Sequence, residues 1–247
     1  MNAFMTWFYQ MSSPPHFYRW AGRAIPWFMW PALIIAAVAA YLGLVRSPED
    51  YQMGNTVRIM YVHVPSAWLS MSCYTSMAVA SAIGWIWRMK LAHAVAAAIA
   101  PAGAALTFLA LATGAIWGKP TWGTFWVWDA RLTSELVLLF LFMGVVLLRN
   151  AFEDRAQGDR AAAILAIVGV INVPIIHYSV NWWNTLHQTA SVTVAGKSGI
   201  DSSMVLPLLL MLLAFTLYLV ALILMRTRNE VLLRETRKRW VQDMVGA

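Results

Sequence analysis

Met204–Met225 reads MVLPLLLMLLAFTLYLVALILM, twenty-two residues without a single charge. About twenty consecutive apolar residues cross the roughly 30 Å of hydrocarbon in a bilayer. With no water inside that layer, every backbone N–H and C=O has to be bonded within its own segment, so such a run is a helix. Five more runs read the same way: Ala24–Leu44, Val62–Ile86, Leu91–Ile116, Leu132–Leu148 and Ala161–Val180. The whole chain of 247 residues is 60% hydrophobic and 12% charged. Soluble domains run near 45–50% and 25%, so a water-soluble globule and a disordered chain are both excluded. Stretches such as Ala94–Ala105 do not alternate, which excludes a membrane β-barrel. The sequence therefore predicts an all-α integral membrane protein, one domain over residues 1–247 with six transmembrane helices. Its one cysteine, Cys73, allows no internal disulfide.

Lysines and arginines set the orientation. Thirteen fall on the side that carries both termini, and five, Arg46, Arg58, Lys119, Arg131 and Lys197, fall on the other. Both termini are thus expected in the cytoplasm. Residues 1–23 show no basic region ahead of an apolar core and no cleavage site. They are expected to stay attached as an aromatic segment on the membrane surface, broken at Pro14-Pro15. The basic tail serves as a topology signal or as a contact to anionic membrane lipid; no nucleic-acid partner is expected. Three segments, Arg46–Tyr61, Trp117–Arg131 and Asn181–Ser203, then face outward, and chemistry is expected there.

The 14 tryptophans are unevenly spread. Several sit near membrane interfaces, where indoles collect anyway. Trp117, Trp122, Trp126 and Trp128, however, fall within twelve residues in the outer loop between helices 3 and 4, with Phe125 among them and Gly118, Pro120 and Gly123 as bends. Packed flat rings make an apolar platform for a large flat ligand, or else a lid folded onto its own helices. Asp129 reads as the cap of the fourth helix. Arg131 either holds a ligand carboxylate bidentately or pairs with a lipid phosphate.

Of five histidines, His16 and His93 belong to the inner side. His63, in Tyr61-Val62-His63-Val64-Pro65, and His187 lie on two different outer segments, and His177 near the outer end of the fifth span is the reserve candidate. Each alone reads as a hydrogen-bonded interfacial side chain. Two outer imidazoles with an aromatic platform and arginines are together the parts of a heme site, in which imidazoles take the axial positions and arginines the propionates. Zinc fits poorly without HxxxH or HExxH spacing. Ala195-Gly196-Lys197-Ser198 is no phosphate loop, because Ser191 stands where its first glycine is needed.

Trp122-Gly123-Thr124-Phe125-Trp126-Val127-Trp128-Asp129 resembles the tryptophan-rich WWD signature of heme-handling membrane proteins. The continuation Ala130-Arg131-Leu132-Thr133-Ser134-Glu135 resembles the CcmC branch of system I cytochrome c maturation, with Phe125 where a tryptophan is common. That resemblance covers nearly the whole chain. It implies non-covalent b-type heme held at the periplasmic face of the bacterial inner membrane, with His63 and His187 as its iron ligands. Trp117, Trp122, Trp126, Trp128 and Asp129 would form the platform. Arg58 and Arg131 would be the propionate partners, and Lys119 a weaker one. It further implies presentation of heme to the chaperone CcmE, a small membrane partner CcmD, and release driven by CcmA and CcmB. An electron-transfer b-type cytochrome, a heme-free permease or scaffold, and a heme lyase are the competing readings. The first is disfavoured because the two histidines are expected in loops.

Overall fold

Six helices long and apolar enough to cross a membrane stand where the apolar runs predict them. The protein is described by a computed structural model covering residues 13–187 and 200–245, and no strand occurs among these residues. Helix α1, Pro14–Ala40, passes into a wider π-helical stretch, Tyr41–Arg46. A 3-10 turn, Asn55–Ile59, leads into α2, Met60–Trp87, followed by α3, Lys90–Trp122, and α4, Ala130–Asn150. The fifth span is divided into α5, Arg155–Gly169, and α6, Asn172–Trp182; α7, Ser202–Glu235, and the short α8, Arg239–Val245, complete the chain.

Four expectations are corrected. Pro14-Pro15 starts the first helix instead of breaking a surface segment: at a helix N-terminus the missing N–H is not needed and the fixed φ is already helical. The surface segment's first twelve residues lie outside the described part. The third helix runs past Ile116, so Trp117 and Trp122 are helical. The loop proper opens only at Gly123, whose φ of 76° is the left-handed cap conformation that a side chain disfavours. The last helix continues to Glu235, which puts Arg226, Arg228 and Arg234 on a helix and not in a tail. Finally, His63 stands on α2 and not in a loop.

Lipid tails are as apolar as leucine, so helix association in a membrane depends on close packing and not on the hydrophobic effect. The alanine-rich half of α3 answers that need: Ala94, Ala98 and Ala100 are fully covered, and α2 lies along α3. Gly103 leaves the space that Phe142 of α4 fills, and Phe142 meets Tyr74 of α2 edge-on at 4.9 Å. At the end of the bundle away from the Trp117–Trp128 stretch, Asp159 of α5 bonds Arg149 of α4 at 3.1 Å and Arg234 of α7 at 2.6 Å. At the opposite end, Asn172 of α6 donates to the Ser134 carbonyl of α4 at 2.9 Å. That bond and the Arg131 contact described below fix α6 against α4 and so aim the segment that carries His187.

Candidate functional site

A cavity of about 450 Å³, counted with its open mouth, lies at the tryptophan end of the bundle. His63 of α2, Trp122 of α3, Arg131 and Glu135 of α4, and His187 all line it. Its remaining wall is apolar, from Ala67, Ala110, Gly114 and Ala115 with Leu111 and Leu132.

His63 enters from the first turns of α2. Its Nδ1 lies 3.0 Å from the Ala110 carbonyl and 3.1 Å from Thr113 Oγ1, both on α3. A carbonyl only accepts, so Nδ1 carries the proton. Thr113 spends its own hydroxyl proton on the Leu109 carbonyl at 2.6 Å and can accept as well. Neutral His63 therefore has its lone pair on Nε2. Gly114 makes this seat possible, because a Cβ there would stand 2.9 Å from His63 Cε1. Trp117 closes on the ring edge-on, with centroids 5.7 Å apart.

His187 is held by the other half of the site. Asp129 accepts the Leu132 N–H at 2.8 Å with Oδ1, the expected cap of α4. Its Oδ2 accepts from Thr185 Oγ1 at 2.5 Å and faces His187 Nδ1 at 3.5 Å. Thr185 Oγ1 in turn accepts the His187 backbone N–H at 3.0 Å. One carboxylate thus starts a helix and fixes a histidine 58 residues away in sequence. Burial raises the Asp129 pKa, but the bonds from Thr185 and Leu132 and the nearby His187 outweigh it and hold the carboxyl below its ordinary value. Burial lowers the His187 pKa, and the Asp129 charge recovers only part of that loss. His187 is therefore a neutral imidazole at pH 7. An ionised Asp129 can only accept, so here too the proton belongs on Nδ1. Nε2 of neither histidine has a hydrogen-bond partner among the described residues. Ligating histidines characteristically give the other ring N–H to a carbonyl or carboxylate, which fixes tautomer and orientation.

The structure sorts the remaining candidates. Trp122 packs edge-on to His187 at 4.8 Å, above the space left by Gly118. Trp126 and Trp128 pair with each other at 5.3 Å and do not line the cavity, and Trp128 is 75% exposed. The indole N–H groups of Trp117 and Trp126 are buried without a partner, and neither residue lines the cavity. Arg131 gives Nη1 to the Ile176 carbonyl at 2.9 Å and makes no direct ion pair among the described residues, so most of its fork remains available. Arg58 is not brought to the cavity; it bonds the Ser47 carbonyl at 3.0 Å and braces the segment before α2. Lys119 bonds the Gly123 carbonyl at 2.9 Å and lies over Phe125. His177 is exposed and stacks edge-on with Tyr178, outside the cavity. Sequence reading missed Gly114, Thr113, Thr185 and Glu135 as parts of the site. A small residue in a helix gives no sign of which side chain it admits, although Glu135, an acid inside a span, is itself a signal.

Fold and site define a multi-pass membrane protein with a two-histidine cavity at one end of its bundle. The family described as heme exporter protein C matches residues 7–242. Heme exporter protein C of Escherichia coli K12 is 51% identical over 237 residues, 96% of each chain. That of Haemophilus influenzae is 48% identical over 238 residues, 96% of this chain and 97% of its own. A Marchantia polymorpha protein named as a putative cytochrome c biosynthesis ccmC-like mitochondrial protein is 41% identical over 205 residues. The chain belongs to the heme exporter protein C family.

Proposed function

We propose that this chain holds heme as its cargo at the outer end of the bundle, between His63 and His187, and presents it for transfer during c-type cytochrome biogenesis. The family it belongs to is named for heme handling. The observation that carries the reading is the matched pair of imidazoles: they come from separate segments to one cavity, each with Nδ1 engaged, leaving Nε2 for a metal. The apolar wall and Trp122 suit a porphyrin face, and the open fork of Arg131 suits a propionate. A heme carries propionates, and Arg131, which lines the cavity, is a better partner for one than Arg58, which does not.

The lysine and arginine asymmetry supports an outward-facing site, which in a bacterial inner membrane is the periplasmic side. On that side the recipient is the chaperone CcmE, with CcmD supporting the complex and CcmA and CcmB driving release. A presenting protein has to orient its cargo and still give it up, and a cavity with an open mouth and two reversible bonds meets that demand. Because His63 is seated on a helix, the position of the ligands does not separate this reading from an electron-transfer cytochrome. Rapid reversible reduction by a quinol would favour the cytochrome.

The test is the visible spectrum of the purified protein with its chaperone, beside His63→Ala and His187→Ala. A low-spin six-coordinate spectrum lost in each variant is expected. A colourless wild type with heme in plentiful supply, or unchanged spectra and chaperone loading in both variants, would overturn the reading.

A further inference from the structure

Glu135 lines the cavity, yet heme binding as described gives it no task. It lies four residues after Arg131 on α4, one turn further along the same face. It is buried, at membrane depth, where a carboxyl group is costly and marks function by default. Ser70 Oγ of α2 stands 2.9 Å from its Oε1, and Oε2 has no hydrogen bond among the described residues. The same Ser70 hydroxyl lies 2.8 Å from the Ala67 carbonyl, so its single proton is contested. A glutamine would accept from Ser70 equally well, so packing and hydrogen bonding alone do not require an acid here. What an acid adds is the capacity to carry a charge beside Arg131. Glu135 and Arg131 are near enough for each charge to act on the other, yet they form no direct ion pair, because Arg131 reaches to Ile176 instead.

We propose that Glu135 is the release element of the cavity, a positioning residue whose carboxylate shares the Arg131 guanidinium with a carboxylate of the bound porphyrin. This inference rests on the heme reading above. With the cavity empty, Glu135 balances Arg131. When a porphyrin carboxylate reaches Arg131, it shares that cation with an anion already fixed in the wall, and the hold is weakened. The iron bonds to His63 and His187 then orient the cargo without locking it in. The effect is confined to ligands that carry a carboxylate.

The experiment compares hemin with its dimethyl ester, which has no free carboxylate, on the full-length purified protein. Wild type, Glu135→Gln and Glu135→Asp are titrated, and transfer to excess apomyoglobin is timed. Glu135→Gln is expected to bind hemin about tenfold more tightly, the scale of one unit charge about 12 Å away at an effective dielectric of about 20. It should also surrender hemin more slowly, while the diester is unaffected and Glu135→Asp behaves as wild type. Ser70→Ala gives an independent reading if Glu135→Gln does not fold: the untethered carboxylate moves toward Arg131, so hemin but not the diester binds more weakly. Equal effects on both porphyrins, or unchanged hemin binding in Glu135→Gln, would overturn the inference while leaving the heme reading standing. A wild type that binds neither porphyrin would overturn both.

Discussion

Adding one methyl group at Gly114 tests whether the seat of His63 matters as its geometry implies. The new Cβ would lie 2.9 Å from His63 Cε1 and 3.4 Å from Nδ1. Carbon atoms settle at about 3.5–4.0 Å, so the ring has to retreat by about 0.6 Å or more. The Nδ1 bond to the Ala110 carbonyl is 3.0 Å long, and that shift carries it past the useful limit of about 3.2 Å. Overpacking of this kind costs about 1–3 kcal/mol. Because the strained ring is the proposed ligand, most of that cost should fall on heme retention, a loss of about tenfold or more. Gly144→Ala is the control: its Cβ would meet only the flexible tip of Leu165, at 3.1 Å. Hemin titration and the Soret spectrum are measured for wild type and both variants, with thermal unfolding recorded in parallel. Gly114→Ala should lose the six-coordinate low-spin spectrum at an unfolding temperature close to that of Gly144→Ala. Wild-type retention and spectrum in Gly114→Ala would refute the claim that this histidine is held in place for a ligand.

Two further results are expected around His187. Asp129→Asn keeps a cap for α4 but removes the charge facing His187, so stability should hold while heme retention falls about 10- to 100-fold, the usual cost of losing a partner behind a ligating histidine. Asp129→Ala should lose retention and, in addition, about 1 kcal/mol of stability from the missing cap; equal retention in wild type and both variants would exclude this role. Acid should act on the same corner. The pKa of His187 is lowered from its ordinary 6.5 and that of Asp129 from its ordinary 3.8. In both cases the unfolded chain takes up the proton first, so stability is lost as pH falls, first below 6.5 for His187 and then through the depressed value of Asp129. Heme release followed by absorbance should therefore have its midpoint below pH 6.5, and a midpoint above 6.5 would contradict a buried, neutral His187.

The helices were legible because hydrocarbon leaves the backbone only one solution for a single span. A run such as Met204–Met225 needs no information from the rest of the chain to be a helix, and the six runs fixed both the fold class and the membrane location. Residue chemistry was legible too: imidazoles, indoles, an aspartate at a helix start and arginines drew attention on their own. Boundaries were read less well, because Pro14-Pro15 and the stretch Trp117–Trp122 look like breaks in isolation, and only their neighbours show that helix continues there. What tertiary structure alone decided is direction. Whether Arg58 or Arg131 reaches the cavity, whether Trp122 or Trp128 faces it, and whether His177 belongs to it depend on the phase of each helix and on what packs beside it. Neither is encoded in local spacing. The same holds for Gly114, Thr113 and Thr185, which matter through a partner between 2 and 56 residues away or on another helix. The chain thus names its own solvent and its reactive groups, while the packing of α2, α3, α4 and α6 selects which of those groups meet.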